Sequence, residues 1–357
     1  MKVAVGMSGG VDSSVAALLL VRAGHDVTGL MMRTWAGDDG PAGERSACYG
    51  RDEAEDVLAA EGVCARLGVP FRVFDCSRDY EELVLVDFRE AYLRGTTPNP
   101  CVRCNPLVKF GALPRLARAS GLAFERFATG HYARVDRDPA SGRFFLKRAL
   151  DPRKDQSYFL YRLTQEQLAA ALFPLGGLSK GRVRALAAEA GLAVHDRKES
   201  QDFYGGDLAD ILGSRGEEGD IVDRDGRVLG RHRGVRNYTI GQRKGLGIAF
   251  PVPLYVTAID ARRNVLVVGP EDQTYGRSCV VRDCAWVRVD GLSGPTDVRA
   301  KVRSGGRLVR AILSPLDGGR TRVELAEPVS SIAPGQSAVF YDDEDAVVGG
   351  GIIEDAA

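Results

Sequence analysis

Short apolar runs alternate with stretches of helical periodicity through the first half of the chain. "KVAVGM" reads as a buried strand, "VAALLLVRAG" as a helix closed by Gly24, and "DVTGLMMRTW" as a second strand. "DEAEDVLAAEGVCARLG" has an acidic first turn and a terminal glycine, as a helix should. "VPFRVFDCS" predicts a third strand and "YEELVLVDFREAYLRG" the helix after it. Beyond a proline-bounded loop, "FGALPRLARASG" predicts a helix and "FERFATGHYA" a strand. "QSYFLYRLTQEQLAAALF" and "SKGRVRALAAEAG" extend the helical part to about residue 192. Strand alternating with helix predicts a doubly wound parallel sheet, whose ligands sit at the carboxyl ends of the strands.

The period then changes. From residue 219, "GDIVDRDGRVLGRHRG", "NVLVVGP", "TDVRAKVRSGGRLVRAIL", "TRVELAEPV" and "SAVFYDDEDAVVGGGIIE" alternate apolar and polar positions between glycine turns. The fold class expected is α/β: a doubly wound sheet with a helical extension over residues 1–205, a small β-rich domain over 206–275 and a C-terminal β-barrel over 276–357.

Composition narrows the partners. The 357 residues carry 48 Lys and Arg against 48 Asp and Glu, so any grip on nucleic acid must be local. No apolar run has the length of a membrane span, and the start enters a strand at once, so a cytoplasmic protein with no membrane partner is expected. Seven cysteines at uneven spacing are not a disulfide scaffold. Only the close pair Cys101 and Cys104 asks for chemistry.

"SGGVDSS", Ser8 to Ser14, follows a strand and opens a helix. Backbone N–H groups at a helix start bind anions, and glycines admit a phosphate closely. The Gly-Lys-Ser/Thr ending of a Walker loop is missing. A plain turn capped by Ser8 or Asp12 is the bland alternative. The whole string resembles the pyrophosphate-binding loop of the ATP-pyrophosphatase superfamily. "TPNPCVRCNPLVKFG", Thr97 to Gly111, puts two cysteines near a helix start, where the helix dipole, helped by Arg103 and Lys109, lowers a thiol pKa. With "GLMMRTW", "ATGHYAR", "KDQSYFLY" and "YTIGQRKGLGI" in the same order, the chain resembles the tRNA-specific 2-thiouridylases of the MnmA type over nearly its whole length.

That resemblance implies ATP-dependent 2-thiolation of a wobble uridine, with ATP and Mg²⁺ as cofactors. The partners implied are tRNA and a sulfur-donor protein or sulfide source. Gly6, Met7, Ser8, Gly9, Gly10, Val11, Asp12, Ser13 and Ser14 would hold ATP, Asp12 near the phosphates and the Mg²⁺ ion. Met32 and Gly130 would meet the adenine side, and Cys104 would be the nucleophile. Asn99, Pro100 and Cys101 would receive the base; Lys154, Asp155 and Gln156, and more loosely Arg303 and Ser304, would touch tRNA. The basic residues Arg231, Arg233, Arg236, Arg243 and Lys244, set on glycine-rich loops, suit phosphate contact.

The pattern breaks at one point. Where the family carries its second catalytic cysteine, "KESQDFYGGD" has Tyr204, and a phenol holds no persulfide. Cys101 stands where aspartate is usual, and Cys76 follows the third strand. Three readings stay open. Cys76, Cys101 and Cys104 hold a [4Fe-4S] cluster, with Cys48 in reserve; or Cys101 and Cys104 form a redox dithiol; or Cys76 fills the core and the pair binds zinc or nothing. Cys64, Cys279 and Cys284 read as packing residues. Two other functions compete: a ligase or amidotransferase sharing the loop, and a non-catalytic RNA-binding iron–sulfur protein.

Overall fold

Val3, Ala4 and Val5 are fully buried, as a central strand with helices on both faces requires. They belong to β1 (Lys2–Gly6), the middle strand of a five-stranded sheet. The computed structural model describes residues 1–35, 37, 49–50, 53–197, 203–213 and 216–356. Cys48, the reserve cluster ligand, lies outside them. Among the described residues, contacts divide the chain into two compact units: Met1–Val84 with Pro100–Gly206 and Glu344–Val347, and Leu85–Asn99 with Asp207–Asp343 and Val348–Ala357.

In the first unit, α1 (Val11–Arg22), β2 (Asp26–Arg33), α2 (Glu53–Leu67) and β3 (Phe71–Asp75) follow β1 as expected. Gly24 and Gly68 close the two helices with φ of +77° and +69°. Helical segments α3 (Ser77–Tyr80) and Glu81–Leu85 come next, and α4 (Val86–Leu93), which follows them in the chain, belongs to the second unit. Then come α5 (Pro100–Cys104), a wide-turned segment Asn105–Ala112 and α6 (Leu113–Ala119). The sheet is completed by β4 (Arg126–Thr129) and, after the hairpin β5 (Ala133–Arg137) and β6 (Phe144–Arg148), by α7 (Gln165–Ala170) and β7 (Ala171–Leu172); α8 is Lys180–Glu189. The order β3-β2-β1-β4-β7 is parallel throughout. Strand order reverses between β1 and β4, with β2 and β3 added on one side and β4 and β7 on the other, which makes their carboxyl ends the switch point.

Three local expectations are corrected. The helix expected from Phe110 begins at Pro100, because a proline at the first helical position wastes no donor and presets φ. Pro106 then sits in the wide turn, which absorbs its missing N–H. The stretch expected as one helix over "QSYFLYRLTQEQLAAALF" holds only a short 3₁₀ turn and α7. A Thr164–Gln167 capping box starts α7, and the chain turns extended at Ala171 and joins β4. The β5–β6 hairpin was not expected. Its turn is built by Asp138, whose Oδ1 accepts from Ala140 and Ser141 N–H, and by Gly142 at φ +72°.

The second unit contains α9 (Leu208–Leu212) and two β systems. The strands β8 (Gly219–Val222), β9 (Val228–His232), β10 (Tyr255–Asp260) and β11 (Val265–Gly269) form a four-stranded sheet over Ile221, Val256, Leu266 and Val268. The remaining six close a barrel in the order β12-β15-β14-β13-β16-β17. They are β12 (Tyr275–Trp286), β13 (Thr296–Lys301), β14 (Val309–Leu316), β15 (Arg320–Ser330), β16 (Ser337–Tyr341) and β17 (Val347–Ala356). Alternate residues Val309, Ala311 and Leu313 point inward, as period-two patterning dictates. Cys279 lies in the barrel core and Cys284 packs beside it. No helix among the described residues is long and apolar enough to cross a membrane.

Candidate active site

The strand β1 ends at the switch point and its loop folds on itself. Gly9 takes φ +67°, and Gly10 caps α1 without help from any side chain. Ser13 and Ser14 hydroxyls donate back to the Gly10 carbonyl at 3.1 and 2.8 Å, and Ser8 N–H donates to Ser13 Oγ at 3.2 Å. The serines therefore brace the loop, and neither Ser8 nor Asp12 acts as the cap. The first-turn N–H groups and the positive end of the helix dipole are left for an anion. Arg197 clamps the loop from behind, donating through Nη1 to Gly9 O at 2.5 Å and through Nη2 to Asp56 at 2.9 Å.

Asp12 is held from two sides. Lys180 Nζ lies 2.7 and 2.8 Å from its two oxygens, and the Tyr132 hydroxyl donates to Oδ1 at 2.8 Å. Gly130, expected near adenine, lies against the start of α1: a Cβ there would fall 2.5 Å from Ser13 N.

A cavity of about 190 Å³ opens at this point. Gly6, Met7, Ser8, Asp12 and Ser13 form one wall and Met31 and Met32 another. Tyr49, Glu53 and Asp56 close the side toward α2, and Thr129, Gly130, His131 and Gln156 the side toward β4. The Glu53 carboxyl is raised by burial, against the hydrogen bonds it accepts from Thr34 and Trp35 N–H. His131 shares a 2.8 Å hydrogen bond with Thr129 Oγ1, and burial, with Lys109 nearby, holds its pKa well below the usual value. The imidazole is thus neutral at pH 7.

Lys109 and Leu113 bring the helical run of Cys104 to this cavity. Cys104 is buried and Cys101 half-buried, one turn apart on α5; neither lines the cavity wall. Arg103 donates through Nε to the Leu83 carbonyl, 3.0 Å away. Cys76 is fully buried at the start of α3, its thiol pushed up to about 12 by burial and by Asp79 and Asp75. Among the described residues no three His, Cys, Asp or Glu side chains are grouped to hold a metal, so Cys76, Cys101 and Cys104 are not gathered as cluster ligands. Cys76 instead sits in packed surroundings that favour its protonated form. Cys64 packs under Gly29.

The expected tRNA residues divide. Lys154 is half-buried and Arg303 exposed, with Ser304 beside it on the β13–β14 loop. The Asp155 side chain is wholly buried, accepting from Ala149 N–H, Ser157 N–H and Arg148, and so shapes the turn. Gln156 faces the cavity and accepts from Tyr132 N–H at 2.9 Å. Pro100 is buried and Asn99 half-buried. Arg231, Arg233, Arg243 and Lys244 are exposed, Arg231 beside Asp220 and Glu218. Tyr204 is buried, its ring stacked toward Trp35 and tilted against Tyr49.

Lys180, Arg197 and Tyr132 were not singled out from the sequence. One signal for Lys180 was present: Ser179 caps α8 and Lys180 follows at once, a cation in the first turn, where the helix dipole opposes it. Such a residue calls for a carboxylate elsewhere.

A parallel sheet with this uncapped Gly-Ser loop at its switch point defines a protein of the ATP-pyrophosphatase class. Residues 1–204 match the tRNA methyl transferase HUP domain, 207–270 the tRNA methyl transferase PRC-barrel domain and 276–353 the aminomethyltransferase β-barrel domain. The tRNA-specific 2-thiouridylase MnmA of Endomicrobium trichonymphae is 43% identical over 99% of both chains. The enzyme of the same name from Heliobacterium modesticaldum is 45% identical over 98% of this chain and 92% of its own. That of Geobacter metallireducens is 44% identical over 99% and 97%. The chain belongs to the tRNA-specific 2-thiouridylase family.

Proposed function

We propose that the chain 2-thiolates the wobble uridine of tRNA in the cytoplasm, using ATP and a sulfur-donor protein or sulfide source. One observation carries the reading: the helical run that begins with Cys101 and Cys104 on α5 continues to Lys109 and Leu113, which line the cavity walled by the phosphate loop. The uridine C2 oxygen attacks the α-phosphorus of ATP, and pyrophosphate leaves. The Cys104 thiolate first takes the outer, sulfane sulfur of the donor's persulfide and the donor leaves as its thiolate; the terminal sulfur of the resulting Cys104 persulfide attacks C2, the C2–O bond breaks, and AMP departs with the oxygen. The Cys101 thiolate then attacks Cys104 Sγ. The base keeps the transferred sulfur, a Cys101–Cys104 disulfide remains, and an external dithiol reduces it.

Residues three apart on a helix have neighbouring side chains, which places the two thiols on one face of α5. Tyr204 has no thiol to offer, so the second sulfur comes from Cys101. Magnesium fits Asp12, since that ion takes one or two carboxylates and completes its shell with phosphate oxygens and water. Bound there it would offset charge on the departing pyrophosphate. Lys154, Arg303, Ser304 and the basic loops around Arg233 and Arg243 supply cations and donors for the tRNA backbone.

The test is incubation of purified protein with ATP, persulfide donor and unmodified tRNA. Release of AMP and pyrophosphate that requires tRNA, with one 2-thiouridine formed per AMP, is the expected result. Release driven by an amino acid in place of tRNA would make it a synthetase, and tRNA binding with no turnover would make it a binding module.

A further inference from the structure

The phosphate loop carries no lysine of its own, yet an ammonium stands beside it. Lys180 comes from the start of α8, far away in sequence, and reaches both oxygens of Asp12 at 2.7 and 2.8 Å. Its side chain is 12% exposed and that of Asp12 32%, so the pair sits at the edge of the cavity, partly shielded from water. Its position costs something. A cation in the first turn faces the positive end of its own helix dipole. The Lys180 N–H meanwhile is taken by Asp151 at 3.2 Å, which anchors the backbone while the side chain extends to Asp12. A core-bracing ion pair has no need of so unfavourable a helix position.

With Lys180 on both oxygens and Tyr132 on Oδ1, a divalent cation at Asp12 competes with the ammonium for the carboxylate's charge and lone pairs. Tyr132 holds Oδ1 independently at 2.8 Å, so the carboxylate keeps its orientation if the ammonium leaves. Lys180 Nζ also lies 5.8 Å from the Tyr132 ring centre, over an apolar face that does not compete for its protons as water would. Lysine suits such a transfer: it is a compact charge on a flexible stem, with three donors that turn freely.

We propose that Lys180 is the positioning cation of the nucleotide loop. In the arrangement seen here it neutralises Asp12; when magnesium takes that carboxylate, Lys180 pairs with the phosphate oxygens of the incoming nucleotide. This rests on the reading of the loop as an ATP site and adds the group that compensates its missing lysine.

The experiment is calorimetric titration of the full-length protein with Mg²⁺ alone, with ATP in EDTA, and with both. Lys180→Met should bind Mg²⁺ alone about tenfold more tightly, because Asp12 is released, and metal-free ATP about tenfold more weakly. Lys180→Arg should return both constants toward the wild-type values. Asp12→Asn should abolish the Mg²⁺ response and leave metal-free ATP binding at least as tight, which keeps the idea testable if the methionine variant does not fold. Affinities for Mg²⁺ and ATP that fall together in Lys180→Met, or that both stay unchanged while ATP still binds, would overturn the proposal. A wild-type protein that binds ATP in neither form would instead remove the nucleotide reading beneath it.

Discussion

Gly130 lies directly on the backbone of Ser13: a Cβ added to it would come within 2.5 Å of the Ser13 nitrogen and 2.6 Å of the Asp12 carbonyl carbon. Both neighbours are main chain at the start of α1, which a side-chain rotation cannot relieve. The end of β4 therefore acts as a stop against which the phosphate loop is set.

Gly130→Ala should push the loop away from β4 and weaken ATP binding at least tenfold. It should also destabilise the first unit by about 1–3 kcal/mol, the usual cost of overpacking. Nucleotide titration together with denaturant unfolding separates the two effects. Unchanged affinity would mean that the loop tolerates displacement.

Arg197 and Asp56 should be coupled. Their side chains are 18% and 14% exposed, and Arg197 also holds Gly9 O. Removing one partner leaves a mostly buried charge alone, which costs about 3–5 kcal/mol in a fully buried pair and less here because both retain some solvent. Arg197→Met is expected to destabilise the protein more than the double variant Arg197→Met with Asp56→Leu. A double-mutant cycle by urea unfolding reads the coupling, and additive losses would contradict it.

Much of this arrangement was legible in the sequence, and the limits are physical. The strands β1 to β4 and the loop between β1 and α1 were visible because periodicity and glycine placement are local signals. The cysteines were placed near a helix start, but the unbroken helical run from Pro100 through Ala112 was hidden, since Pro106 reads as a breaker when it sits in a widened turn. Lys180, Arg197 and Tyr132 escaped notice because each acts on a loop far from it in sequence. Nor did the sequence show that the Asp155 carboxylate organises a buried turn, because the N–H groups and the Arg148 side chain it accepts from are brought to it only by the fold.

The described cysteines should differ sharply in reactivity. Burial raises the thiols of Cys64 to about 11 and of Cys76 and Cys279 to about 12. At pH 8 only roughly one in a thousand to one in ten thousand of these groups is thiolate. Iodoacetamide followed by peptide mass mapping should leave all three unmodified in the folded protein, while half-buried Cys101 is labelled. In parallel, Cys104→Ala should abolish thiolation with ATP affinity nearly unchanged. Loss of ATP binding as well would make Cys104 a structural residue.

His131 gives the acid limb of stability a predictable sign. Its pKa lies well below the usual value in the fold, chiefly through burial, with Lys109 adding to it. The unfolded chain takes up this proton near pH 6.5 and the folded chain only at lower pH. Stability is therefore whole above about pH 6.5 and falls as pH drops below it, by at most about 1.4 kcal/mol per unit from this group. The stability difference between wild type and His131→Asn should shrink as pH is lowered from 7.5 to 5.5. A difference independent of pH would show that His131 titrates normally.

Tyr204 tests whether the position of the family's second cysteine still belongs to the chemistry. Its ring stacks 6.4 Å from Trp35 and lies 6.1 Å from Tyr49, which lines the cavity and itself stacks 5.3 Å from buried Tyr80. Replacing a buried aromatic ring by a small side chain typically costs about 3–5 kcal/mol. Tyr204→Cys should therefore unfold at lower denaturant and disturb the Tyr49 wall, so that KM for ATP rises. It should not bypass Cys101: a Cys101→Ser, Tyr204→Cys double variant is expected to stay below a tenth of wild-type multiple-turnover thiolation. Restored turnover in that double variant would show that the segment around residue 204 still reaches the reacting sulfur, and that the Cys101–Cys104 couple is not the chain's own route.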